Sequence, residues 1–147
     1  MDAIPRRLCM TDLILLLGRL LLSLIFLHES LSLATSLSAT LAGFSKLGLP
    51  APMVLAVIAL QLGAGLSIAT GLFSRLGAVA LALFCLATAL LFHTNLTNQN
   101  ELLHFEKDLA IAGGMFVLAI SGAGSLSIGR LISRRSKNLP AWVTALL

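Results

Sequence analysis

Apolar residues dominate four long blocks of the chain, and polar residues are concentrated between them. The blocks cover approximately residues 13–33, 53–72, 76–92 and 109–126. Each is close to the roughly 20 residues that a helix needs to cross a bilayer, and each is bounded by Gly, Pro, Asn or charge. Helices satisfy their own backbone hydrogen bonds in lipid. The pattern therefore predicts an all-α integral membrane four-helix bundle in a single domain, followed by a basic tail at 127–147.

The composition supports retention of the first block as a membrane helix. The chain is 58% hydrophobic and only 11% charged. Arg6 and Arg7 precede the first block, as in a signal peptide, but its apolar stretch exceeds the roughly 7 to 15 residues of a signal core. Arg19, His28 and Glu29 also interrupt it. We therefore expect four spanning helices.

Basic residues indicate the orientation. They occur before the first block, between the second and third, and after the fourth: Arg6, Arg7, Arg75, Arg130, Arg134, Arg135 and Lys137. The positive-inside rule then places both termini in the cytoplasm. The net charge of +4 is interpreted as a determinant of topology and of anionic lipid contact. A nucleic-acid partner is not expected, because the chain offers no soluble basic surface.

Two segments have more than one interpretation. The linker 34–51 keeps apolar residues at helical spacing, so it is either an amphipathic or re-entrant segment at the outer interface or a plain loop. In the second block, Ala59, Gly63, Ser67 and Gly71 recur every four residues. Such a small-residue stripe favours close helix contact, either within the bundle or in a homo-oligomer.

Ionisable residues near a bilayer are costly, so they are the first candidates for function. One set is predicted to form a polar layer at the outer boundary: His28, Glu29, His93, His104, Lys107 and Asp108. Lys107 and Asp108 have an alternative interpretation as an interfacial charge pair beside a helix N-terminus, and each histidine could simply hydrogen-bond at the interface.

Two further polar residues, Arg19 and Gln61, fall inside membrane helices and need partners. Arg19 and His28 are nine residues apart, so they point to opposite faces of the helix. Arg19 is expected to line a stripe with Ser23, to extend toward the cytoplasmic surface near Asp12, or to bind a substrate or lipid headgroup.

The residue types fit a quinone better than a metal. The chain has no Cys-x-x-Cys, His-x-x-x-His or Glu-x-x-His pattern, so no metal site is predicted. Quinone oxygens need donors such as His or Lys near the membrane boundary, and His28, Glu29 or Asp108 could exchange protons there. No flavin, nicotinamide or iron–sulfur motif is present, so electrons would come from a partner. No catalytic residue is assigned.

The chain resembles the DoxX family of small four-helix bacterial membrane proteins over about 13–129. The resemblance is carried by five sequence segments: Gly18-Arg19-Leu20-Leu21 with Ile25-Phe26-Leu27-His28, Gly48-Leu49-Pro50, Gln61-Leu62-Gly63-Ala64-Gly65-Leu66 with Thr70-Gly71-Leu72-Phe73-Ser74-Arg75, the segment 92–114, and Gly122-Ala123-Gly124-Ser125-Leu126-Ser127. The family often has Glu where this chain has Gln61.

The resemblance implies a role in membrane redox systems, since the family name comes from a subunit of a thiosulfate:quinone oxidoreductase. We therefore expect an auxiliary or quinone-interacting subunit of a membrane redox complex, with enzymatic activity only as part of that complex. The alternatives are a non-catalytic anchoring or assembly subunit and, third, transport of a small molecule or lipid. The expected partners are membrane lipid, a protein of the complex and, in an oligomer, a second copy of the chain.

Overall fold

The computed structural model describes residues 10–93 and 95–135, and all regular secondary structure in these ranges is helical. Part of the orientation prediction rests on Arg6, Arg7 and Lys137, which lie outside the described residues, as does the tail after residue 135. The helices are α1 Met10–Thr35, α2 Leu37–Lys46, α3 Ala51–Thr70, α4 Ser74–Phe92, α5 Gln99–Ser121 and α6 Ile128–Arg135. The all-helical prediction is confirmed for this part of the chain.

Three of the helices, α1, α3 and α4, are long and apolar enough to cross a membrane by length and composition. Their outer surfaces are rich in exposed leucine and isoleucine, among them Leu17, Leu21 and Leu24 on α1. Exposing this much apolar surface to water is unfavourable, so these faces are expected to contact lipid. α5 is 23 residues long, but three consecutive charged residues interrupt its apolar sequence.

Local sequence explains where the helices begin and end. α3 starts after Pro50, with Pro52 in its first turn, where a missing N–H is tolerated. It ends at Gly71, which adopts the left-handed conformation with φ +72°. Asn98 is the N-cap of α5, and its side chain accepts a hydrogen bond from the Asn100 N–H at 3.0 Å.

The structure corrects the prediction for the segment before the fourth apolar block. We predicted the fourth helix from about residue 109, but α5 begins at Gln99. The Asn98 cap and the recurring apolar residues Leu102 and Phe105 allow the helix to start earlier, because charged residues are tolerated in a helix outside the hydrocarbon. Of the two interpretations of the linker 34–51, the helical one is confirmed by α2.

The helices pack as a row in which α3 lies between α1 and α4, and α5 packs along α4. The contact between α1 and α5 is much less extensive than the other contacts between the long helices. The shared core contains Phe26, Ala64, Ile68, Ala78, Leu81, Ala82, Cys85, Ala112, Met115 and Leu118. Glycines allow the close approaches: a Cβ on Gly77 would lie 3.1 Å from the Ala64 carbonyl oxygen. Small residues at the contacts are typical of helix association in lipid.

The small-residue stripe of α3 divides into two parts. The half nearer the C-terminal end of α3, Ser67 and Gly71, packs within the protein, where Ser67 meets Gly77 of α4. Its other half, Ala59 and Gly63, is exposed, and a Cβ on Gly63 would meet nothing within 4 Å. The stripe therefore contributes to internal packing over half of its length.

Arg19 and Asp12 of α1 hold the segment that joins α5 to α6, residues 122–127, which we call the connector. Arg19 is 3% exposed and donates from Nη1 to the Ala123 carbonyl at 2.7 Å and from Nη2 to the Leu126 carbonyl at 2.9 Å. Asp12 Oδ1 accepts from the Ser125 N–H at 3.3 Å. Arg19 therefore ties α1 to the connector by satisfying two of its carbonyls, which lie outside the helices.

Candidate functional site

Polar side chains line the contact between α4 and α5 at the end of the protein opposite the connector. Glu101, His104 and Asp108 are spaced i, i+3 and i+7 on α5, so they share one helix face. Deeper along that face lie Ala112 and Met115, which belong to the core. The facing residues on α4 are His93 and Thr88. We call the set Thr88, His93, Glu101, His104 and Asp108 the polar seam.

Two histidines and a glutamate form the outer part of the polar seam. His93 Nδ1 lies 2.9 Å from Glu101 Oε2, within hydrogen-bond and ion-pair distance. The imidazole of His93 stacks on that of His104, with ring centroids 5.2 Å apart and an angle of 17° between the planes. The exposed fractions of the His93 and Glu101 side chains are 23% and 37%, so water reaches the pair.

The inner part of the polar seam is a single carboxylate. Asp108 Oδ2 accepts a hydrogen bond from the Thr88 hydroxyl at 2.8 Å. The Thr88 oxygen also lies 2.9 Å from the Cys85 carbonyl oxygen, so the single hydroxyl proton is shared between this carbonyl and the Asp108 carboxylate. Asp108 lies one helical turn further along α5 than His104, so Glu101, His104 and Asp108 occupy successive positions along the helix axis.

The interpretation of Lys107 and Asp108 as a charge pair at a helix N-terminus is wrong. Asp108 lies nine residues inside α5 and takes its hydrogen bond from Thr88. Lys107 is exposed, and within residues 10–93 and 95–135 the ion pair that forms is His93 with Glu101. A helical residue next to Asp108 points about 100° away from it, which explains the separation.

The other predicted site residues lie away from the polar seam. His28 and Glu29 are exposed on α1, whereas Arg19 is buried on the opposite face of that helix, as its nine-residue spacing predicts. Gln61 is 5% exposed in α3, and its Oε1 has no hydrogen-bond partner. The structure thus brings together His93, His104 and Asp108 of the six predicted outer-layer residues.

The seam is an open surface feature instead of a deep pocket. Two cavities lie elsewhere, one of about 310 Å³ beside α2 and one of about 530 Å³ beside α6. Across the described segments, no group of three or more His, Cys, Asp or Glu residues has an arrangement that could hold a metal ion. A ligand of the seam would rest its apolar part on the neighbouring exposed leucines, such as Leu91 and Leu103.

Sequence reasoning missed two members of the seam, Glu101 and Thr88. Glu101, His104 and Asp108 are spaced i, i+3 and i+7, which places them on one helix face. This spacing identifies Glu101 as a member of the seam only if the helix is already known to include residue 101. Thr88 lies in an apolar block where hydroxyls usually bond back to the preceding turn, as it also does here.

The fold and the seam define a small helical membrane protein with an ionisable cluster at one end. Comparison with known proteins then gives its family: the DoxX family profile matches residues 14–94, and the chain belongs to the DoxX family. The resemblance stated from the sequence is thereby confirmed.

Two curated relatives match most of this chain. It is 36% identical over 124 residues to the inner membrane protein YqjF of Escherichia coli (strain K12), covering 84% of this chain and 95% of the relative. It is 32% identical over 124 residues to the inner membrane protein YphA of the same organism, covering 80% and 89% respectively. No solved structure gives a significant match.

Proposed function

We propose that this protein is a quinone-interacting subunit of a membrane redox complex and that the polar seam is its ligand site. The observation that supports this is the convergence of His93, Glu101, His104 and Asp108 on the α4–α5 contact. Donors and proton acceptors stand there beside exposed leucines, which is the surface that a lipid-soluble ring with polar oxygens requires.

The proposal includes a four-span topology in a bacterial inner membrane, with both termini in the cytoplasm. The relatives YqjF and YphA carry the name inner membrane protein. Arg75 at the start of α4 donates to the Ala119 carbonyl near the end of α5, so its charge lies at the connector end, where α6 adds further arginines. The positive-inside rule puts that end in the cytoplasm and the seam at the outer boundary.

The chemistry assigned to the seam is proton exchange. Interconversion of a quinone and its quinol moves two electrons and two protons. In the proposal, His93 with Glu101 and the deeper Asp108 exchange the protons with the outer aqueous phase. A partner protein that carries a flavin or metal centre exchanges the electrons. The seam contributes ligand orientation and proton transfer, and the partner contributes the redox centre.

Binding of a short-chain ubiquinone to the purified chain tests the ligand site. The variant is His93→Ala, and the matched control is His28→Ala, which removes an exposed histidine outside the seam. We expect His93→Ala to raise the dissociation constant about tenfold or more, because a lost donor of this kind costs about 1.4 kcal/mol. His28→Ala should leave it unchanged. Equal constants for both variants, or no binding by the wild type, would refute the site.

Gentle purification from native membranes tests the subunit role. Mass spectrometry of the bound proteins should identify a dehydrogenase or oxidase. A stable partner without a redox centre would instead establish the anchoring role. A chain that arrives alone, with phospholipid only, would refute membership of a complex and favour the transport role.

A further inference from the structure

A shallow, open groove beside α6 is lined by Arg19, a buried arginine for which residues 10–93 and 95–135 show no ion pair with a carboxylate. The groove, of about 530 Å³, is lined by Arg19, Ala69, Thr70, Leu126, Ser127, Ile128 and Leu131. Arg19 is 3% exposed, and its two hydrogen bonds go to neutral carbonyl oxygens. The ion pair found in residues 10–93 and 95–135 is His93 with Glu101, far from this groove.

The guanidinium also keeps unused donor capacity. Arg19 Nε is buried and has no hydrogen-bond partner. An arginine has five N–H donors in a planar fork, and the structure assigns two of its nitrogens to carbonyls. Burying a charge without a counter-ion is costly, so an anion at this position would stabilise the protein.

The rest of the groove is suited to a lipid. Its walls include the apolar residues Leu126, Ile128 and Leu131. α6 is a short amphipathic helix with three exposed apolar residues, Ile128, Leu131 and Ile132, and three exposed arginines, Arg130, Arg134 and Arg135. A basic amphipathic helix of this kind binds at the surface of an anionic bilayer.

We propose that this groove binds an anionic phospholipid, whose phosphate supplies the counter-charge to Arg19 and whose acyl chains cover the apolar walls. The arginines of α6 add attraction for the headgroup from the surrounding surface. Guanidinium groups are the preferred partners of phosphate because their donors match its oxygens in pairs. The site is at the opposite end of the protein from the polar seam, and it does not depend on quinone binding.

Thermal unfolding of the full chain in a nonionic detergent tests the proposal with three probes: phosphatidylglycerol, phosphatidylcholine and inorganic phosphate. Saturating phosphatidylglycerol should raise the midpoint by about 5 °C, in line with ligand binding to the folded state. Phosphatidylcholine and inorganic phosphate should raise it much less. Equal shifts with both lipids would overturn the proposal. An equal shift with inorganic phosphate would show a free-anion site and would also overturn it.

A matched pair of substitutions locates the binding to the groove. Ala69→Leu fills it without changing charge, and Ala87→Leu makes the same change on an exposed surface of α4. We expect the phosphatidylglycerol shift to disappear in Ala69→Leu and to persist in Ala87→Leu. Leu131→Glu serves as the test if Ala69→Leu does not fold. It changes a position that is 66% exposed and places a carboxylate at the groove that repels the phosphate, so it should also abolish the phosphatidylglycerol shift. Persistence of the shift in Leu131→Glu would overturn the proposal.

Discussion

Gly71→Ala should destabilise the protein by considerably more than Gly48→Ala, although both glycines have the same backbone conformation. Their φ angles are +72° and +76°, and an alanine in that region costs about 1–2 kcal/mol. The surroundings differ. A Cβ at Gly71 would lie 2.5 Å from the Ser127 Cβ, 2.6 Å from Arg19 Nη1 and 2.9 Å from the Ala123 Cβ, whereas a Cβ at Gly48 would meet nothing within 4 Å.

Those contacts require the connector or the guanidinium to move. Overpacking of this kind costs about 1–3 kcal/mol, so the total loss for Gly71→Ala is about 2–5 kcal/mol. The loss for Gly48→Ala stays at the backbone value. The measurement is the free energy of unfolding from a titration with sodium dodecyl sulfate in mixed micelles, followed by circular dichroism. Losses that agree within about 0.5 kcal/mol would refute the close packing of Gly71 against Arg19 and the connector.

Two further substitutions test buried polar groups by the same titration. Gln61→Leu should raise the free energy of unfolding by about 1 kcal/mol or more, because Oε1 of Gln61 is buried without a partner; the same change at exposed Gln99 should alter it by less than about 0.5 kcal/mol. A loss of stability in Gln61→Leu would show that the amide has a favourable partner. Thr88→Val should cost about 1–3 kcal/mol by removing the donor to Asp108. The cost should fall in an Asp108→Ala background, and an unchanged cost would mean that the hydrogen bond contributes nothing.

The apolar blocks predicted most of the fold because they reflect the strongest constraint on a membrane chain. α1, α3 and α4 begin and end within a few residues of the predicted limits. The opposite orientations of Arg19 and His28 also followed from helical geometry and are confirmed by their burial. The start of α5 was missed because charged residues suggested a boundary, whereas the Asn98 cap determined it.

The polar seam could be predicted only in part, because it depends on which faces of α4 and α5 pack against each other. His93 and His104 are eleven residues apart, and their contact requires both helices to extend to the loop between them. Asp108 is bound by Thr88, which is 20 residues away in sequence. The histidines and the aspartate identified the correct segment of the chain. Which side chains pair with each other is determined by the packing of α4 against α5.

The anchoring of the connector by α1 has a consequence for biosynthesis. Arg19 and its carbonyl partner Ala123 are 104 residues apart, and Asp12 and Ser125 are 113 apart. α1 therefore carries a guanidinium whose carbonyl partners are synthesised about a hundred residues later. Until the connector has been synthesised, that charge must be solvated by water or lipid headgroups, so a chain truncated before residue 122 leaves Arg19 without its carbonyl partners.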